Sequence, residues 1–180
     1  VRIAGSSVVV QSINTEDGSQ YDTDNTLTDL RGIDLDAADT LTLELVDPDA
    51  GGPEGVQSAL NSAGEAVAGN VVFTGVNGVI LDDAANAGGG VVTITTDSTT
   101  TDGQIDINSA VDSAAGDTSA NGLTLTSGTA DIVADAAMGG TEPLSVVDVT
   151  DAANVSLEGI ATSGASGSNT ITIGSNSAIT

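Results

Sequence analysis

Lysine, histidine, cysteine and tryptophan are absent from this chain, and Arg2 and Arg31 are its only cations. The lack of cysteine excludes a disulfide framework, a thiolate metal site and a thiol nucleophile. The lack of histidine and lysine removes the bases that activate a serine or threonine nucleophile, which leaves paired carboxylates as the remaining acid–base chemistry. Sugar-cleaving sites of that kind resemble acid clusters with basic and aromatic subsites, both scarce here, so the chain is read as not an enzyme and as having no organic cofactor. A single Phe73, a single Tyr21 and a single Met138 leave few large side chains to fill a thick sandwich core. The formal net charge of −24 argues against nucleic acid and anionic membrane surfaces as partners. No apolar run approaches the roughly 18 residues of a membrane helix, so membrane insertion is not expected. The chain opens on Val1 rather than Met, from which a processed product or a segment of a longer chain is expected.

What is present is aliphatic. Hydrophobic residues make up 39% of the chain, almost all Val, Ile, Leu and Ala, and this β-branched content separates it from acidic disordered chains. They fall in short alternating strings such as Leu41-Thr42-Leu43, Val92-Thr93-Ile94 and Ile171-Thr172-Ile173, each running within four residues into Gly or Asp. Alternation of this kind marks strands with one buried face, and the intervening residues suit tight turns. Strands are predicted near 7–13, 39–46, 70–74, 78–81, 91–95, 104–107, 122–126, 131–134, 145–149, 154–158 and 169–173.

The spacing of the strings carries more than their number. Val92 to Leu123 is 31 residues, Ile105 to Ile132 is 27, Leu123 to Val147 is 24, Ile132 to Val155 is 23 and Val147 to Ile171 is 24. Two interleaved series advancing by a similar step predict an all-β solenoid with degenerate coils of about 23–31 residues, each turn completing its core by stacking on its neighbours. The alternative is a β-sandwich, Ig-like or of the donor-strand pilin type, which spaces its strands more closely and anchors them with aromatics.

Residues 70–180 carry the repeats. Residues 1–69 are a less regular, β-rich N-terminal region, and in it Val56, Leu60, Ala63 and Val67 follow Pro53 at helical spacing, predicting a short helix over 54–68. Gly55 and Gly64 weaken that helix, and a loop fits the same residues.

The run Asn121-Gly122-Leu123-Thr124-Leu125-Thr126-Ser127-Gly128-Thr129-Ala130-Asp131-Ile132, followed by Gly139-Gly140-Thr141-Glu142-Pro143-Leu144 and Val149-Thr150-Asp151-Ala152-Ala153-Asn154-Val155, resembles the repeats of giant filamentous-haemagglutinin-like bacterial surface proteins. The resemblance spans about 100–175 and is one of texture. It implies a right-handed parallel β-solenoid in a secreted adhesin, sheath or fibre, extracellular or at the cell surface, with glycan or cell-surface contact. Ile173-Gly174-Ser175-Asn176-Ser177-Ala178 is similar to short repeats in the heads of trimeric autotransporter adhesins.

Acid clusters suit calcium, which takes six to eight oxygen ligands. The candidate ligands are Asp22 with Asp24, and Asp34 with Asp36 and Asp39, with Asp47, Asp49, Asp82 and Asp83 as lesser pairs. None completes a calcium loop, because the position that needs glycine holds Leu27 after Asp22 and Asp39 after Asp34, so solvated turn carboxylates fit the same residues. Thr93 and Thr95, and Thr124 and Thr126, are expected to line one outward face, either as simple β-formers or as a threonine array similar to ice-binding surfaces. Asn154-Val155-Ser156 fits the N-glycosylation pattern.

The function expected is structural: a component of an extracellular bacterial fibre, sheath or adhesin, assembling through β-strand stacking as a homopolymer or as part of a longer chain. Two alternatives are a calcium-rigidified Ig-like adhesin module and a pilus subunit that polymerises by donating residues 7–13 to a neighbour. Trypsin is expected to leave everything beyond Arg31 as one fragment by mass spectrometry. Rapid digestion of that fragment by a broad-specificity protease would mark it as disordered.

Overall fold

The computed structural model describes residues 2–10, 13–14, 33–45, 56–61, 70–75, 77–83, 89–97, 101–117, 119–162, 170–173 and 178–179. Every regular element among them is a β-strand. A first sheet takes β1 (Arg2–Gly5), β4 (Ile33–Ala37), β7 (Val71–Gly75), β10 (Ile105–Ile107), β13 (Ile132–Ala134), β15 (Asn154–Leu157) and β17 (Ala178–Ile179), in that spatial order. A second takes β2 (Val8–Val10), β5 (Leu41–Leu45), β8 (Val79–Asp83) and β11 (Val111–Ser113), and single bridges from Val111 to Met138 and from Met138 to Ile160 carry its line further. The third takes β3 (Ile13–Asn14), β6 (Val56–Asn61), β9 (Val91–Thr95), β12 (Gly122–Thr126), β14 (Val146–Asp151) and β16 (Thr170–Ile173). All strand pairs are parallel, and none of the three sheets closes on itself. The chain visits the sheets in rotation, and each return lays a new strand beside the last visit.

Period-two alternation explains why these segments are strands. In β7, β9, β10 and β13 every second residue is buried, and the residues between are half-buried. Buried positions of the three sheets meet in one aliphatic cluster. Parallel pairing stacks them in columns: Ile33, Val71, Ile105, Ile132 and Val155 in the first sheet, Val8, Leu41, Val79 and Val111 in the second, and Ile94, Leu125 and Val149 in the third. Phe73 is the one aromatic in this core, stacked between Leu35 and Ile107. Burial of each Val, Leu or Ile stabilises the fold by about 1.5–3 kcal/mol relative to exposure, so a core with a single aromatic among its described residues is filled by number instead of size.

The spacings in the sequence match the register residue for residue. Val92 pairs with Leu123, Leu123 with Val147 and Val147 with Ile171 in the third sheet, and Ile105 pairs with Ile132 and Ile132 with Val155 in the first. Strands β1 to β6, from the region expected to be less regular, join the same three sheets.

Three expectations are corrected. Val56–Asn61 is a strand and not part of a helix; residues 54–55 and 62–68 lie outside the described residues. Its pairing with Val91–Thr95, across a bulge between Val56 and Ser58, overrides a helical spacing that Gly55 already weakens. The sandwich alternative gives way to parallel sheets, since Ig-like sandwiches are built from antiparallel strands. The single strand expected over 7–13 is two strands in different sheets, and Val8–Val10 pairs with β5 of its own chain.

The turns differ in kind. Between first and second sheets the link is short, two positions at 6–7 and 158–159 and three at 38–40, 76–78, 108–110 and 135–137. Its backbone continues the ladder: Leu41 N donates to Gly78 O (3.1 Å), Val79 N to Ala110 O (2.7 Å), Val111 N to Ala137 O (3.2 Å) and Met138 N to Gly159 O (2.8 Å). Links from third to first sheet shorten from 96–104 to 127–131 to 152–153, which absorbs much of the drift in repeat length. Gly139 marks the tightest approach, with φ of 71° and a position where a Cβ would lie 2.0 Å from Ala161 O.

Acidic residues in the strands rarely stack on one another. Asp106 lies in register between Val72 and Val133, and Asp148 between Thr124 and Thr172. Among the described strand pairs, Glu44 and Asp82 are the one acid opposite an acid.

Replacing Ile105, fully buried between Val71 and Ile132, by Ala is expected to cost about 2–5 kcal/mol in chemical denaturation. Thr124→Ala, on the alternate half-buried face of β12, is expected to stay within about 0.5 kcal/mol of the parent.

Candidate functional site

Asp22 and Asp24, the first of the predicted calcium ligands, lie outside the described residues, as do Asp47 and Asp49. Asp34 and Asp36 occupy alternate positions of β4, in register with Val72 and Thr74 of β7. Asp39 follows in the link to β5, exposed, where its Oδ1 accepts a hydrogen bond from Asn77 Nδ2. Among the described residues no three acidic side chains gather into a group that would hold a metal.

A groove of about 460 Å³ runs along the link between the first and second sheets. Thr74, Asn77, Asn108 and Ser109 give it its polar groups, with Ala110 and Ala136 beside them. Ser109 lies at its base, nearly buried, and its Oγ accepts from Gly75 N at 2.9 Å. Asn108 is exposed and reaches Thr74 Oγ1 at 3.4 Å. These are neutral amides and hydroxyls able both to donate and to accept, a set suited to water, backbone or sugar hydroxyls.

Elsewhere the carboxylates tether backbone. Asp112 Oδ1 accepts from Thr141 N (2.9 Å) and Glu142 N (3.2 Å), and Asp102 Oδ2 accepts from Thr129 N (2.6 Å) and Thr129 Oγ1 (2.7 Å). Asp102 and Asp97 both crowd Gly128, where a Cβ would lie 2.5 Å from Asp102 Oδ2 and 2.7 Å from Asp97 Oδ1. Thr93 and Thr95 stack on Thr124 and Thr126 as the alternation predicts, and Asp148 then takes the next place above Thr124. Asn154 of the glycosylation pattern is exposed, with its Nδ2 2.7 Å from Asp131 Oδ1.

Sequence reasoning read the polar residues between the strings only as suited to tight turns. The structure buries Thr96, Ser109, Ser113, Asn121 and Ser127. Their hydrogen bonds satisfy backbone that leaves the sheets: Ser113 Oγ accepts from Asn121 N at 2.9 Å, and Ser127 Oγ donates to Ala130 O at 2.9 Å. Position at the end of an aliphatic string is the signal they share in the sequence. The chain matches no protein-family model, no curated protein and no solved structure.

Ser109→Ala leaves the buried Gly75 N–H without its acceptor and is expected to cost about 1–3 kcal/mol in denaturant titration. Asn108→Ala in the same groove is expected to change stability by no more than about 0.5 kcal/mol.

Proposed function

We propose that this chain is a load-bearing segment of an extracellular bacterial fibre, sheath or adhesin, built as a parallel β-solenoid. The observation that supports it is the parallel pairing of successive circuits in three sheets, with a bulge at two places, and the aliphatic columns that stack through them. One circuit through the three sheets is one coil, and coils stack at the strand spacing of about 4.8 Å. No side chain needs to act on a substrate in this role. The work is done by the stack itself, which resists bending because each coil is bonded to its neighbours along three faces.

End strands define the partner. β1, β2 and β3 at one end, and β16 and β17 at the other, have one strand neighbour each among the described strands. Such edges offer unpaired N–H and C=O groups to another strand. In this reading they are continued by further coils, either of a longer chain or of a second copy joined head to tail. The strong negative charge keeps the flanks of neighbouring rods apart, so growth is favoured along the axis over sideways clumping. The surface location draws on the repeat texture of residues 121–155 and on the near absence of cations.

Diffraction from aligned specimens tests the proposal. The expected result is a reflection near 4.8 Å along the long axis of the particle. A reflection at that spacing across the axis would place the strands lengthwise and overturn the stacked-coil reading.

A further inference from the structure

The link between β11 and β12 buries two acceptor oxygens that no donor reaches. Asn121 sits immediately before β12 and is 0% exposed. Its backbone N donates to Ser113 Oγ at 2.9 Å, and its carbonyl accepts from Ser145 N at 2.9 Å, so the residue is held between the link and the next circuit. Both hydrogens of its side-chain amide are engaged, one on Leu81 O at 3.0 Å and one on Asp117 Oδ2 at 2.6 Å. Turning the amide over would set its oxygen against those two acceptors, so the direction of Oδ1 is determined by the bonds on Nδ2. Asn121 Oδ1 is buried without a partner, and so is Asp117 Oδ1.

A buried acceptor left unmet costs about 1–3 kcal/mol, and more where it belongs to a charged group. The sequence provides no lysine or histidine to meet it, and Arg2 lies in the first strand of a different sheet. A water would donate to both oxygens yet leave the carboxylate charge uncompensated, in a chain whose net charge is −24. The two side chains are joined by the Asn121 Nδ2–Asp117 Oδ2 bond, and a hard cation held beside that bond would meet both free oxygens and balance the charge, carboxylate and amide carbonyl oxygens being the ligands it takes.

We propose that this corner is a cation site, with Asp117 Oδ1 and Asn121 Oδ1 as protein ligands and calcium as the ion that fits them. It is separate from the acid clusters at 22–24 and 34–39, and it does not depend on the fibre reading. With one carboxylate among its ligands the affinity falls in the weak range that calcium sites of extracellular modules occupy, about 10⁻⁴–10⁻³ M. Occupancy would fix Asp117 against Asn121, whose Nδ2 is bonded to the carbonyl of Leu81 one circuit below.

The test is a thermal melt of the full chain, followed by circular dichroism, in chelator and then in calcium chloride up to about 10 mM, above the expected affinity range. Sodium chloride is added to hold ionic strength constant. The parent is expected to show a saturable rise in melting temperature and to take up one calcium per chain at this affinity in equilibrium dialysis. Asp117→Asn keeps the shape and removes the charge; it is expected to lose both the rise and the uptake while melting in chelator no lower than the parent. Asp117→Ser provides the same readout should the first variant not fold. A parent insensitive to calcium would overturn the proposal in favour of a buried water. A rise retained in both Asp117 variants would overturn it too, by placing the ion elsewhere.

Discussion

Parallel pairing in register is the constraint from which the rest of this structure follows. When each strand lies beside its counterpart from the previous circuit, a position in one strand becomes a member of a column about 4.8 Å apart from its neighbours. A column on the inner face is held to apolar residues, because a polar member is buried among aliphatic neighbours unless a partner meets it, as Asn121 N meets Ser113 beside Leu81. That is why Ile105 has Val71 and Ile132 beside it, and why a chain almost without aromatics still builds a core. An outer column carries the opposite restriction. Two carboxylates at that separation repel by about 1 kcal/mol in water and by more where the surroundings are less polar. With 26 acidic groups and two cations, strictly identical repeats would stack carboxylate on carboxylate through the whole molecule. Placing Asp106 between valines and Asp148 between threonines avoids this. The irregularity of the repeat thus has a physical use, since sequence drift separates like charges that exact repetition would align.

Legibility in the sequence follows the same line. Inner columns were readable because burial demands Val, Ile or Leu at each level, and the distance between matching strings is then the register itself, as with Leu123 and Val147. Val56–Asn61 was misread because its apolar residues satisfy helical spacing as well, and its real determinant, the partner Val91–Thr95, lies more than thirty residues away. Ile33–Ala37 escaped notice for another reason. Its alternate residues are aspartates, which drew attention as calcium ligands, while the buried Ile33, Leu35 and Ala37 between them carry the packing.

The polar turns were the least legible part. Ser, Asn and Gly tolerate turns wherever they occur, so composition alone does not separate a solvated turn from one folded over the end of a core. Ser109, Ser113 and Asn121 belong to the second kind, and their side chains replace strand partners for backbone at the corners. Asp34, Asp36 and Asp39 were read together from their spacing in the sequence; the structure places the first two at alternate positions of β4 and the third in the link that follows.

The link between first and second sheets stays at two or three positions while the other links vary more widely. Its carbonyls of Gly78, Ala110, Ala137 and Gly159 each bond to the circuit before it, so a long insertion there would interrupt the seam between circuits. Added chain is therefore tolerated at the other corners. A lineage that lengthens, shortens or decorates its loops would do so on those sides and leave one edge plain, so the molecule has a back and a front before any partner is considered.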